Sequence, residues 1–248
     1  MTEEKPDFAY KAVSAEGVNY YLSQGKILLR RFYPKEGLLL LKSVRMLGDM
    51  DHDVYSYSAQ AAAIITEYKK IQGTRFDEYD REASILLCRK KETTWLHNDY
   101  FGYSLKVKGT IDILKTSLIH KERYGRGGVL AGVKLSDKEG YDFLVLINAE
   151  RFVAAQIKDM DQFREMIAVR EGADIYRSET VSRKKDYNAN LEITKIERDY
   201  KGKTLSGRRL LSIQGGTGVS CILISPQGEA LSENMDSVIE SFNLSARK

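Results

Sequence analysis

The apolar residues of this chain first change their period near residue 95. Before it they recur at steps of three and four. After it they recur mostly at steps of two, interrupted by two segments that return to the helical period. Steps of three and four share a helix face, and steps of two share a strand face. Both periods in one chain exclude an all-α or an all-β fold. They predict an α+β protein: N-terminal helical hairpins over 1–94, then an αβα sandwich with a mainly antiparallel sheet over 95–248.

The region up to about residue 92 reads as helix. A first helix is expected over about 8–22. A second opens near Pro34, a residue suited to a helix's first turn, carries Leu40, Leu41, Val44 and Leu47, and stops at Gly48. A third carries Tyr57, Ala61, Ile64, Ile65, Tyr68 and Ile71 to Gly73. A fourth is capped by Thr74 and sets Phe76, Tyr79, Ala83, Leu86 and Leu87 on one face. Short loops make these antiparallel neighbours.

Beyond residue 95, Phe101–Val107 and Val129–Leu135 alternate as half-buried strands, and 141–147 is apolar on both faces, as a central strand is. A helix is expected over 159–171, capped by Asp159. Strands follow at 175–182, 189–200, 204–214 and 217–225, with hairpin turns at 201–203 and 215–218. A last helix covers 231–243. Hairpins imply antiparallel pairing, with helices covering the sheet.

Charge narrows the function classes. There are 39 Lys+Arg against 35 Asp+Glu, a net charge of +4 spread over both halves. That balance is too even to imply nucleic acid or an anionic membrane surface as a partner. Two cysteines, Cys88 on a helical stripe and Cys221 in a strand, read as free buried thiols rather than a disulfide framework. The acidic, polar start Met1-Thr2-Glu3-Glu4-Lys5-Pro6 lacks the features of a signal peptide, and no run approaches a membrane span, so a cytoplasmic protein is expected.

Two resemblances stand beside these patterns. The segment Trp95-Leu96-His97-Asn98-Asp99-Tyr100-Phe101-Gly102-Tyr103-Ser104-Leu105-Lys106-Val107 looks like the opening strand of PsbP-like domains. The ending Met235-Asp236-Ser237-Val238-Ile239-Glu240-Ser241-Phe242 looks like their closing helix. The resemblance covers about 95–248. It implies an αβα sandwich in a family that includes photosystem PsbP proteins, a Ran-release factor, bacterial lipoproteins and effector-associated chaperones. Those proteins mostly bind proteins, and the family offers no shared catalytic residues to carry over. The first half is similar to tetratricopeptide or Sel-like helical repeats through Tyr21-Leu22-Ser23-Gln24-Gly25, Lys35–Ser43 and Leu47-Gly48-Asp49. It departs from them because 26–34 intervene where a short turn is expected.

The chemical motifs resolve to structural readings. Asp49-Met50-Asp51-His52-Asp53 begins like a calcium loop, but Val54 and Gln60 stand where such a loop needs Gly and Glu. It reads as an acidic inter-helix loop. His52, His97 and His120 share no ligand spacing. Gly215-Gly216-Thr217-Gly218 lies between strands, so it is a hairpin and not a phosphate cradle. Gly125-Arg126-Gly127-Gly128 reads as a flexible turn. Arg183-Lys184-Lys185 and Arg208-Arg209 would form a cationic face if the hairpins set them side by side. Tyr55 and Tyr57 belong to a tyrosine-rich helical half that supplies core or interface anchors.

The sequence therefore predicts a non-enzymatic protein-binding adaptor or chaperone-like protein, with no cofactor and no metal. Its candidate partner-binding residues are Arg126, Arg183, Lys184, Lys185, Arg208, Arg209, Tyr55 and Tyr57. The expected partner is a protein, not nucleic acid. The alternatives are an enzyme assembling His97, Asp99, His120 and Cys221 from distant segments, or a self-associating scaffold.

Overall fold

The computed structural model describes residues 15–50, 52–121, 124–136, 139–152, 159–171, 177–185 and 190–245. The fold is α+β with an N-terminal helical part, as expected, and the chain divides into two units, Met1–Tyr100 and Phe101–Lys248.

The first unit holds α1 (Ala15–Arg30), α2 (Pro34–Met50), α3 (Tyr55–Gln72) and α4 (Phe76–Glu82). The first seven residues of the expected 8–22 helix lie outside the described residues. α1 runs on past residue 22, so most of the expected insertion at 26–34 is helix. The reason is visible in its stripe: Val18, Tyr21 and Leu22 are continued by Leu29, all buried. Two glycines let α1 and α2 approach. A Cβ on Gly37 would lie 2.8 Å from Leu29 Cδ2 and 3.0 Å from the Gly25 carbonyl oxygen.

Pro34 opens α2 and Gly73, at φ 56°, ends α3, both as expected. Gly48 does not end α2. It sits inside the helix because α3 crosses it, and a Cβ there would come within 2.2 Å of Ser58 Cβ. Thr74 does not cap α4 either. It lies in a 3₁₀ turn, Gly73–Arg75, and α4 begins with no side-chain cap.

The larger departure is at the end of the unit. Leu86, Leu87 and Cys88 belong not to a helical stripe but to β1 (Ile85–Lys90), which pairs antiparallel with β2 (Thr93–Asn98). Four consecutive apolar residues suit a strand as well as a helix. β2, with Thr93, Thr94 and Trp95, supplies the ladder that decides between them. A two-residue turn closes the hairpin with Lys91 at φ 55°. Leu86 and Cys88 point inward, and Cys88 joins the core formed by Val18, Leu38, Leu41, Val44 and Phe76.

The second unit contains β3 (Tyr103–Lys108), β4 (Thr110–Lys121), β5 (Tyr124–Lys134), β6 (Phe143–Arg151), α5 (Met160–Glu171), β7 (Arg177–Lys185), β8 (Asn190–Tyr200), β9 (Lys203–Gln214), β10 (Thr217–Ser225), α6 (Ser232–Glu240) and β11 (Asn243–Leu244). Seven strands form an antiparallel sheet in the order β4-β5-β6-β10-β9-β8-β7. The turns at Lys201-Gly202 and Gly215-Gly216 have left-handed φ at both central residues, the geometry expected of tight hairpins.

Two expectations fail here, and one strand, β4, is not among those expected. The opening strand starts at Tyr103, because Gly102 at φ 76° turns the chain just before it. β4 has no clean alternation in its sequence. It is an edge strand with a register shift between Ile113 and Lys115, and residues 114–117 are all exposed, so no apolar alternation is required there. Gly125–Gly128 is not a turn but part of β5. Its glycines keep side chains off the sheet surface where Ser117 and Asn148 crowd Gly128.

The two sheet faces differ. One carries Val129, Ala131, Val133, Val145, Ile147, Val219 and Leu223, all buried. α6 docks on that side through Arg208, register partner of Leu223, which grips Asp236. Ser241 then fastens the end of α6 to β3, its Oγ accepting the Lys106 N–H at 2.8 Å, while Phe242 stacks on Tyr103. The other face is covered in part by α5 and carries the site described next.

Candidate functional site: a glycine-floored cleft on the sheet

Strand register builds this site. One row across the sheet runs Glu192, Leu211, Ser220, Asn148, Gly128, Ser117. The next runs Ile213, Gly218, Glu150, Arg126. Within these rows two positions carry no side chain, Gly128 and Gly218. A Cβ on Gly128 would meet Ser117 Oγ at 2.9 Å and Asn148 Oδ1 at 3.3 Å. One on Gly218 would meet Phe163 Cε2 at 2.5 Å. Both glycines line a cleft of about 260 Å³. Ser117 and Asn148 line one side, and Phe163 and Ile167 of α5 the other. At its mouth Arg126 and Glu150, directly opposite in register, approach to 3.4 Å.

The α5 wall is held by charge as well as by packing. Phe163 and Ile167 bury against Leu211, with Phe152 edge-on to Phe163 at 5.7 Å. Arg164 Nε donates to Glu192 Oε1 at 2.9 Å, its second nitrogen donates to Glu192 Oε2, and Nη1 reaches Asp161 Oδ1 at 2.6 Å. Glu192 is 2% exposed, so this fork satisfies a carboxylate that burial would otherwise penalise. Hydrogen bonding to Glu192 raises the Arg164 guanidinium above its ordinary value, against the opposing effect of burial. Asp159 caps α5, accepting the Gln162 N–H at 2.9 Å, as its sequence suggested.

Of the sequence candidates, Arg126 lines the cleft. Arg208 and Arg209 do not form a cationic surface. Adjacent residues on a strand point to opposite faces, and both are buried, at 3% and 9% exposure. Arg208 is spent on Asp236, with Nε to Oδ1 at 2.6 Å and Nη2 to Oδ2 at 3.3 Å. Arg183, Lys184 and Lys185 lie on edge strand β7, in register with Glu192, Leu191 and Asn190, so β8 separates them from β9. Their side chains lie outside the described residues. Tyr55 is exposed on α3, and Tyr57 packs against the helical core. Sequence reading missed Ser117, Asn148, Glu150 and the two floor glycines, since only register brings them together.

The enzyme candidates are divided between the two units, His97 and Asp99 in the first and His120 and Cys221 in the second. His97 Nε2 lies 3.9 Å from Asp99 Oδ1, in the first unit. Asp99 is also engaged by Lys42, 3.1 Å away, and Lys42 in turn binds Asp80 at 2.7 Å and the Asp80 carbonyl at 2.9 Å. Lys42 is 3% exposed, so this is a buried ion-pair cluster tying α2 to α4 and to the turn after β2. Cys221 is buried inside β10, and the side chain of His120 lies outside the described residues. The Asp49–Asp53 loop is interrupted in the same way. Among the described residues no helix is long and apolar enough to cross a membrane.

No family model matches the chain, and no curated protein sequence does. Among solved structures it is similar to the cyanobacterial PsbP of Synechocystis sp. PCC 6803, with 9% identity, 62% of this chain and 93% of that chain covered, and a TM-score of 0.44. It is similar to a Bacteroides thetaiotaomicron protein at 16% identity, with 59% of this chain and 46% of that chain covered and a TM-score of 0.37. The chain thus spans less than half of that protein's length. It is also similar to LpqN, involved in cell envelope biogenesis of Mycobacterium tuberculosis, at 11% identity, 59% and 95% coverage and a TM-score of 0.31. The likeness is weak and concerns fold alone. It does not show the repeat-like character of the first half.

Proposed function

We propose that the chain is a non-enzymatic protein-binding protein, an adaptor or chaperone-like protein, that receives a client's side chain in the cleft between α5 and the β4–β5–β6 side of the sheet. The observation that carries this reading is the glycine floor. A cleft of about 260 Å³ lies over Gly128 and Gly218, where a side chain would collide with Ser117, Asn148 or Phe163. That is smaller than the roughly 300–1,000 Å³ of typical small-molecule pockets and suits one or two peptide side chains. Its wall is apolar on the α5 side and its mouth is polar, the mixture a peptide anchor needs. A non-enzymatic reading is further supported by Asp99, the carboxylate nearest His97, being engaged by Lys42.

Ser117 is exposed on the edge strand beside the cleft, so a large side chain there blocks the space without touching the core. Selection of a displayed random-peptide library on the full chain is expected to enrich a shared motif. Selected peptides are expected to bind Ser117→Tyr at least about tenfold more weakly, a loss of about 1.4 kcal/mol. Failure to enrich any motif, or undiminished binding to Ser117→Tyr, would remove the cleft from the client site.

A further inference from the structure

The turn between α1 and α2 contains a residue that the fold does not ask for. α1 ends in a Schellman motif: the Tyr33 N–H reaches back to the Leu28 carbonyl at 3.0 Å and the Phe32 N–H to the Leu29 carbonyl at 3.3 Å. Phe32 therefore occupies the left-handed position, at φ 63°, where glycine or asparagine is usual. An aromatic residue is strained there. Its ring gains little from the protein in return, since Phe32 is 87% exposed.

The neighbours of Phe32 share a pattern. Ile27 on the last turns of α1 and Tyr33 beside Phe32 are also exposed. Between and around them Lys26, Arg30, Arg31 and Lys35 are exposed, against a single acid, Glu36, over 26–36. Four of the chain's cations thus gather around the α1–α2 connection, a concentration that the net charge of +4 conceals.

We propose that this α1–α2 turn is a docking element for an anionic lipid bilayer surface. Charge complementarity selects the occupant: the cations meet anionic headgroups, and the projecting Phe32, Tyr33 and Ile27 enter the boundary beneath them. A fluid headgroup layer moulds around side chains that protrude, whereas a folded partner must present a matching hollow. Aromatic residues flanked by Lys and Arg are the residue types that settle at such an interface. The proposal does not depend on the cleft of the second unit.

The test is co-sedimentation of the full chain with vesicles. One set is phosphatidylcholine alone, and the other contains about 30% phosphatidylserine. Wild type is expected to bind the anionic set, to release as salt rises, and to ignore the neutral set. Arg30→Gln with Arg31→Gln is expected to bind roughly thirtyfold more weakly, at about 1 kcal/mol per cation. Phe32→Asn suits the left-handed position, so it is expected to keep or raise the melting temperature while binding at least about fivefold more weakly. A lower melting temperature for Phe32→Asn would show that the ring is needed by the fold, and would overturn the premise. Equal binding to both vesicle sets, no binding to either, or undiminished binding by Phe32→Asn would overturn the proposal. So would displacement by soluble polyglutamate that binds wild type and Phe32→Asn alike, which would assign the turn to an acidic protein.

Discussion

Tyr68 shows how a single residue couples burial to pH. It lies half-buried on α3, edge-on to Phe76 at 6.5 Å and packed with the helical core. Burial, and then the neighbouring Tyr79, raise its hydroxyl above the ordinary value of 10.0. A raised folded value means that the unfolded chain loses this proton first. The contribution of Tyr68 is therefore fully present below about pH 10 and is lost as pH climbs through the folded value. Thermal melts from about pH 8 to about pH 11 should show a steeper alkaline loss for wild type than for Tyr68→Phe. Parallel slopes would mean that the hydroxyl is as well solvated folded as unfolded. The paired arginines carry a related lesson. Two adjacent letters, Arg208-Arg209, read as one basic cluster, but strand alternation sends them to opposite faces.

At the scale of elements, close approach decides what glycine means. Gly73 ends a helix through its backbone, and the sequence said as much. Gly48 carries the same signal but serves packing, because Ser58 of α3 occupies the space a side chain would need. In an ordinary exposed helix interior, Gly→Ala stabilises by about 1 kcal/mol. Gly48→Ala is expected to destabilise instead, by roughly 2 kcal/mol, from overpacking. Urea unfolding gives the sign directly, and a gain in midpoint would show that α2 and α3 separate without penalty. The β1–β2 hairpin makes the same point for type. Ile85-Leu86-Leu87-Cys88 extends the pattern of α4 in the sequence. Pairing with β2 turns it into a strand and still delivers Cys88 to the helical core.

At the scale of the molecule, the sandwich unit is closed by charged clamps on both sheet faces, Arg164–Glu192 under α5 and Arg208–Asp236 under α6. Glu192→Leu would leave the Arg164 guanidinium with only Asp161. Breaking one partner of a buried pair costs roughly 3–5 kcal/mol. Since Arg164 stays partly exposed, a loss of about 2 kcal/mol is expected, read as a lower urea midpoint. An unchanged midpoint would mean that Phe163 and Ile167 alone seat α5. The sequence by itself determined the α+β class with its N-terminal helical part, the antiparallel sheet, both tight hairpins and the caps at Gly73 and Asp159, because each follows from local period or backbone preference. The tertiary structure alone decided the strand identity of 85–90, the edge strand β4, the burial of Arg208 and Arg209, and the cleft. Ser117, Gly128, Asn148 and Gly218 come from four strands, and only ladder register, fixed by long-range pairing, sets them side by side.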